Sequence, residues 1–184
     1  MSALLHLMIM MRKSNNRRLN FISGEDFYFL AYSILLALHL LGGTARRIRD
    51  HRKISFLVQF LADDRLIGII ERTAEKGVGN PVDRELLFSS YTKAELQKRE
   101  VFKILFALEK RGFVGLERTD MAEVVDVTLI RDNLPKGFLE SESFAKEKSN
   151  AAKLKKLLPR LASSSFEALI NRLYRERGVK AWVS

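Results

Sequence analysis

Residues 91–116 read Tyr91-Thr-Lys-Ala-Glu-Leu-Gln-Lys-Arg-Glu-Val-Phe-Lys-Ile-Leu-Phe-Ala-Leu-Glu-Lys-Arg-Gly-Phe-Val-Gly-Leu116. Thr92 with Glu95 three residues later has the pattern of a capping box, and Tyr91 and Leu96 flank it as a hydrophobic staple would. A helix is therefore expected from Lys93 to Arg111, with Val101, Ile104, Leu105 and Leu108 sharing one face. Gly112 supplies the stop. The β-rich runs Phe113–Leu116 and Val124–Ile130, separated by the polar stretch Glu117–Glu123, then predict a hairpin.

Upstream of this stretch two shorter helices are expected. Asp63 or Asp64 caps a segment whose apolar side is Leu66, Ile67, Ile69 and Ile70, before Gly77 and Gly79 interrupt it. Asn80 occupies a cap position with Pro81 at the first helical site, and Leu86, Leu87 and Phe88 supply burial. Three helices followed by a hairpin is the element order of a winged helix from Asp64 to Ile130, with Lys93–Arg111 in the recognition position.

The flanks differ in character from this centre. Ser23 with Asp26 caps an apolar run, Phe27–Leu41, that halts at Gly42 and Gly43. That run is fifteen residues long without a formal charge, whereas a membrane-spanning helix needs about 20. It reads as a helix buried in a core or an oligomer interface, and no membrane insertion is expected. The cluster Arg46, Arg47, Arg49, Arg52 and Lys53 leads into a second short helix, Ile54–Ala62, and beyond Pro135 two basic helices are expected, Ser141–Leu158 and Ser165–Arg177. Ser164 with Glu167 caps the latter and Gly178 ends it. The fold class is mainly α with a small β-hairpin: an N-terminal apolar and basic helical extension (1–62), a winged-helix module (63–138) and a basic helical C-terminal extension (139–184).

Charge is distributed unevenly over these segments. The chain carries 32 Lys and Arg against 22 Asp and Glu, which points to an acidic partner. Residues 1–60 hold nine basic and three acidic residues, residues 61–139 thirteen and fourteen, and residues 140–184 ten and five. The central module is thus nearly neutral, and its wing loop carries Glu117, Asp120 and Glu123 against Arg118 alone, which phosphate would repel. Lys93, Lys98, Arg99 and Lys103 on the third helix, the 46–53 cluster, and Lys153, Lys155, Lys156 and Arg160 are the candidate DNA or phosphate contacts. For each cluster the alternative is a solvated surface.

Phe102 and Phe106 widen the apolar arc of the third helix beyond what one packed face needs. They touch either the N-terminal helices or an outside partner. Together with Phe27, Phe29 and Tyr32 they form the candidate protein interface.

Catalytic patterns are lacking. There is no cysteine, which excludes thiolate chemistry and disulfides and suits a cytoplasmic location. His6, His39 and His51 are too scattered for a local metal motif, Asp63 and Asp64 read as caps, Gly77-Val78-Gly79 lacks a phosphate-loop pattern, and Ser163–Ser165 reads as a helix start. Neither an enzyme nor a cofactor is expected.

The stretches Phe27-Tyr-Phe-Leu-Ala-Tyr-Ser-Ile-Leu-Leu-Ala-Leu38, Lys53-Ile-Ser-Phe-Leu-Val-Gln-Phe-Leu61 and Arg99-Glu-Val-Phe-Lys-Ile-Leu-Phe-Ala-Leu-Glu-Lys-Arg-Gly-Phe-Val114 resemble the small middle component of three-component ABC-ATPase systems, of which the Lamassu-type bacterial anti-phage systems are a group. The resemblance covers residues 25–130 and rests on hydrophobic patterns rather than signature residues. It implies a small protein joining an SMC-like ATPase to an effector subunit, in anti-phage or anti-plasmid defence. The resulting expectation is a non-catalytic accessory subunit docked on an ATPase complex acting on DNA, with its basic flanks touching the duplex non-specifically. Two alternatives stay open: a dimeric winged-helix transcriptional regulator reading the major groove through the third helix, and an adaptor on anionic lipid.

Overall fold

The computed structural model describes residues 24–73 and 77–181, with side chains from Phe27 onward. His6 and Ser23, and with Ser23 the expected Ser23–Asp26 cap, lie outside the described residues.

The described residues form six α-helices and three strands. Helix α1 (Gly24–Leu41) is followed by a two-residue strand β1 (Arg47–Ile48), then α2 (Arg52–Ala62), α3 (Asp64–Arg72) and α4 (Pro81–Lys110). Strands β2 (Val114–Arg118) and β3 (Val125–Leu129) form the hairpin, and α5 (Ala145–Leu157) and α6 (Phe166–Leu173) follow it, with two short 3-10 turns before α5 and one after α6. The mainly α class with a small β-hairpin agrees with the sequence reading.

Several boundaries follow from local chemistry. The Asp63 carboxylate accepts from Arg65 N and caps α3, while the Asn80 side chain accepts from Val82 N, with Pro81 as the first helical residue of α4. Helix α1 stops at Gly42, where a Cβ would stand 2.4 Å from the Leu38 carbonyl oxygen and 2.6 Å from the Arg46 carbonyl carbon; only glycine permits that return of the chain. The cap of α6 is Ser165, which accepts from Ala168 N, rather than Ser164.

Two expectations are corrected. The second and third helices of the presumed module are one: α4 runs thirty residues without a break. Leu87, Tyr91, Ala94, Val101, Ile104, Leu105 and Leu108 are all buried along it, so a continuous apolar stripe passes through the supposed cap. Thr92 Oγ1 donates to the Phe88 carbonyl at 3.0 Å, a bond made inside a helix. Glu95 pairs with Lys98 at 2.8 Å instead of turning back, and Leu96 is 77% exposed, so there is no staple. The hairpin, secondly, has a third strand. Strand β1 pairs antiparallel with β3, Arg47 opposite Thr128 and Ile48 opposite Val127, giving the sheet order β1-β3-β2.

These assignments differ in what Thr92→Ala does. Loss of a true N-cap costs about 1 kcal/mol. In the middle of α4 the same change is expected to stay within about 0.5 kcal/mol and to favour stability, because alanine is the better helix former. Urea unfolding of the two proteins measures it.

Helix α2 is the centre of the molecule. Its residues Lys53 to Leu61 are buried without interruption, because α1, α4 and α5 pack around it. Its polar members are satisfied: Gln59 Nε2 donates to Gln97 Oε1 at 2.7 Å, and the Leu61 carbonyl accepts from Asn150 Nδ2 at 2.9 Å. One apolar core runs from Leu30 in α1 through α2–α4 and the hairpin to Tyr174 and Ala181. The C-terminal segment contributes Leu154, Leu161, Phe166, Leu169, Ile170 and Leu173 to it.

Candidate functional site: a basic cleft and an apolar helix face

The two basic clusters, a hundred residues apart in sequence, meet in space. The turn Gly42–Ala45 after α1, the flanks of β1, the end of α5 and the loop 158–163 enclose a cleft of about 500 Å³. Arg47, Arg49, Lys155 and Arg160 line it, and no acidic residue does. Leu41, Leu158 and Leu161 form its apolar base, with Ala45 and Pro159 alongside.

Lys53 builds this cleft. It was expected at the surface touching phosphate, but it is completely buried, so that expectation is withdrawn. Its ammonium donates to the carbonyls of Leu161, Ala162 and Ser164 at 3.1, 2.9 and 2.8 Å. All three N–H bonds are thereby used, and the loop 161–164 is tied to α2. Arg49 N adds a bond to the Ala162 carbonyl at 3.1 Å. Burial pushes the Lys53 ammonium down to about 8, against smaller opposing contributions from Asp50 and Asp126.

The other members of the 46–53 cluster divide by partner. The Arg47 guanidinium is held by Asp126 at 2.7 Å and Glu117 at 2.9 Å, which raises its pKa, chiefly through the Asp126 bond. Arg52 is paired with Asp50 at 2.7 Å and lies 4.7 Å over the Phe166 ring. Burial works to raise the Asp50 carboxyl, but the Arg52 donors prevail and hold it below its ordinary value. Arg46 is half-buried, and its carbonyl accepts from Leu129 N. Arg49 is exposed and makes no ion pair among the described residues. The same holds for Arg160 and Lys155, and Lys153 and Lys156 are exposed beside them on α5.

On α4 two of the four expected DNA-reading cations are engaged. Lys98 pairs with Glu95 and turns inward, its ammonium 5.4 and 4.9 Å from the Phe56 and Phe166 ring centres. Lys103 pairs with Glu100 at 2.8 Å. Lys93 and Arg99 remain exposed, six positions apart. Phe88 (47%), Leu96 (77%) and Phe106 (51%) are also exposed on this helix. At 100° per residue these three fall within roughly 80° of arc, and Phe88 and Phe106 are about 27 Å apart along the axis.

The candidate interface aromatics are not equivalent. Tyr32 is buried at 4% exposure against Phe138, with ring centres 5.6 Å apart; it belongs to the core and is withdrawn from any outer surface. Burial pushes its hydroxyl up to about 12. Phe27 is half-buried against Tyr28, whereas Phe29 is 61% exposed. Phe102 is half-buried and stacks on His51 at 4.5 Å, so it does touch the N-terminal segment, and Phe106 packs edge-on against it at 4.7 Å. Burial lowers the His51 pKa, and its neutral Nδ1 accepts from Val125 N at 3.3 Å.

Phe88, expected to supply burial, and Leu96, expected in a staple, are instead exposed. Had the helical register been continued back from Lys93 to Pro81, the two would have fallen on one face with Phe106. Among the described residues no helix is long and apolar enough to cross a membrane. Comparison of the chain with protein-family models, with curated proteins and with solved structures finds no match in any of the three.

Proposed function

We propose that the chain is a non-catalytic winged-helix subunit that docks onto a larger SMC-like or ABC-type ATPase complex acting on DNA, in bacterial anti-phage or anti-plasmid defence. In this reading the winged-helix frame is α1–β1–α2–α4–β2–β3, with α3 inserted before the recognition helix. The order β1-β3-β2, in which the first strand pairs with the far strand of the wing, supports that frame. It begins at α1 rather than at Asp64.

The observation that carries the docking role is the outer face of α4. A helix in the recognition position that presents Phe88, Leu96 and Phe106, with Lys98 and Lys103 engaged by acids of the same helix and only Lys93 and Arg99 of its four candidate cations unpaired among the described residues, suits a protein partner better than a phosphate backbone. The acidic wing points the same way, since Asp120 and Glu123 are exposed at its tip. Phosphate contact falls instead to Arg49, Lys155 and Arg160 around the cleft, where no acid intervenes. The partners are the ATPase and an effector subunit.

Affinity isolation of the tagged full chain from its native host, followed by identification of the bound proteins, tests this. The expected result is a large ABC-type ATPase in near-stoichiometric amount. Recovery of the chain alone, with tight sequence-dependent binding to its own promoter, would instead support a transcriptional regulator.

A further inference from the structure

We propose that the cleft between the α1 turn, β1 and the end of α5 is a binding site for a small organic phosphate, with the phosphoryl group on Arg49, Lys155 and Arg160 and an apolar body against Ala45 and Pro159. The inference rests on the reading that these cations meet phosphate. It deepens that reading by specifying the kind of phosphate.

Form is the first reason. A duplex presents its phosphates in rows on a convex rod, which suits an extended basic strip. Here the cations surround a recess of about 500 Å³, a volume within the range of roughly 300–1,000 Å³ typical of small-molecule sites. Such sites are mainly apolar with a few placed polar groups, as this one is.

Charge is the second. Arg49, Lys155 and Arg160 have no ion-pair partner among the described residues, and no carboxylate lines the cleft. A phosphomonoester brings about −1.5 to −2 charges at pH 7, which matches three cations better than a single carboxylate would. Arg47 is held by Asp126 and Glu117 and is not needed. Inorganic phosphate would satisfy the cations but leave the exposed apolar lining, Ala45 and Pro159, uncovered.

The walls, finally, are fixed in advance. Lys53 and Arg49 N tie the loop to α2 and β1. Arg160 is held at φ +64°, a left-handed conformation uncommon for a side-chain-bearing residue, by Ser163 N and Ser164 N donating to its carbonyl at 3.1 and 2.9 Å. Residues kept in such conformations gather at ligand clamps, and a site rigid before binding loses less entropy on binding.

Isothermal titration of the full chain with phenyl phosphate, adenosine 5′-monophosphate, phenol and inorganic phosphate tests the inference. Saturable one-site binding is expected for the two organic phosphates, about tenfold or more tighter than for inorganic phosphate, and none for phenol. Arg49→Gln with Arg160→Gly should weaken it by about tenfold or more; glycine retains the left-handed backbone, and an unchanged unfolding midpoint verifies the fold. Equal affinity for inorganic and organic phosphate overturns the inference, as does binding only to phosphatidate vesicles, which would mark a lipid-facing surface. If no small phosphate binds, yet duplex DNA binding falls tenfold in the double variant, the inference fails and the broader phosphate-contact reading stands. If neither responds to the variant, both fail.

Discussion

Replacing Lys53 by methionine is expected to remove about 1–2 kcal/mol of unfolding free energy at pH 7. Methionine fills the volume and matches the surroundings, but it leaves the carbonyls of Leu161, Ala162 and Ser164 without their shared donor. Leu161 O keeps a bond from Ser164 Oγ and Ala162 O one from Arg49 N, so the Ser164 carbonyl is the acceptor that depends on the ammonium, and its unmade bond contributes about 1–2 kcal/mol. The pH dependence carries a definite sign. In the folded chain the ammonium titrates near 8, against 10.5 ordinarily, so between these values the unfolded chain binds more protons. Stability attributable to this group therefore rises with pH across that window. Urea unfolding at pH 7 and pH 10 should show the gap between wild type and Lys53→Met widening; a gap that narrows would mean that the charged form is favoured inside the protein.

The second large effect is expected at Tyr174. It is fully buried, its ring lies 5.9, 5.8 and 5.3 Å from those of Phe56, Phe60 and Tyr91, and its hydroxyl shares a hydrogen bond of 3.2 Å with Ser90. Burial also pushes the phenol well above its ordinary pKa, so it is neutral at any working pH. Tyr174→Ala removes the ring from the point where the C-terminal segment meets α2 and α4, a loss of about 3–5 kcal/mol. Tyr174→Phe keeps the ring and should cost only about 1 kcal/mol. Because the core is continuous from α1 to Tyr174, both variants should unfold in a single transition monitored by circular dichroism. A separate early transition of the C-terminal helices alone would contradict a shared core.

Much of the helical framework was readable in the chain because its signals are local. Gly42 and Gly43, Asp63, the Asn80–Pro81 pair and Gly178 each end or start an element through the backbone conformation or side-chain bond they provide. Thr92 and Glu95 show where local reading fails. The same spacing that makes a capping box also suits a threonine bonded to Phe88 and a glutamate paired with Lys98 within a helix, and only burial of Tyr91 and Ala94 decides between them. Strand β1 is two residues long and owes its existence to Val127 and Thr128, so no pattern within it declares a strand.

The site was half legible for a similar reason. Composition located both basic clusters, but the cleft arises from their meeting across more than a hundred residues. Lys53 and Tyr32 have long or amphipathic side chains whose direction is set by distant partners, the loop carbonyls in one case and Phe138 in the other. Arg49, by contrast, is exposed and pairs with no acid among the described residues, as a surface cation would.

The docking role proposed for α4 is tested most directly by Leu96→Glu with Phe106→Glu, two exposed positions outside the core. Isolated from the native host beside wild type and the Arg49→Gln, Arg160→Gly variant, the glutamate variant should fold normally yet lose the ABC-type ATPase that the other two retain. Undiminished recovery of that ATPase by the glutamate variant, or its absence from the wild-type isolate, would contradict the account.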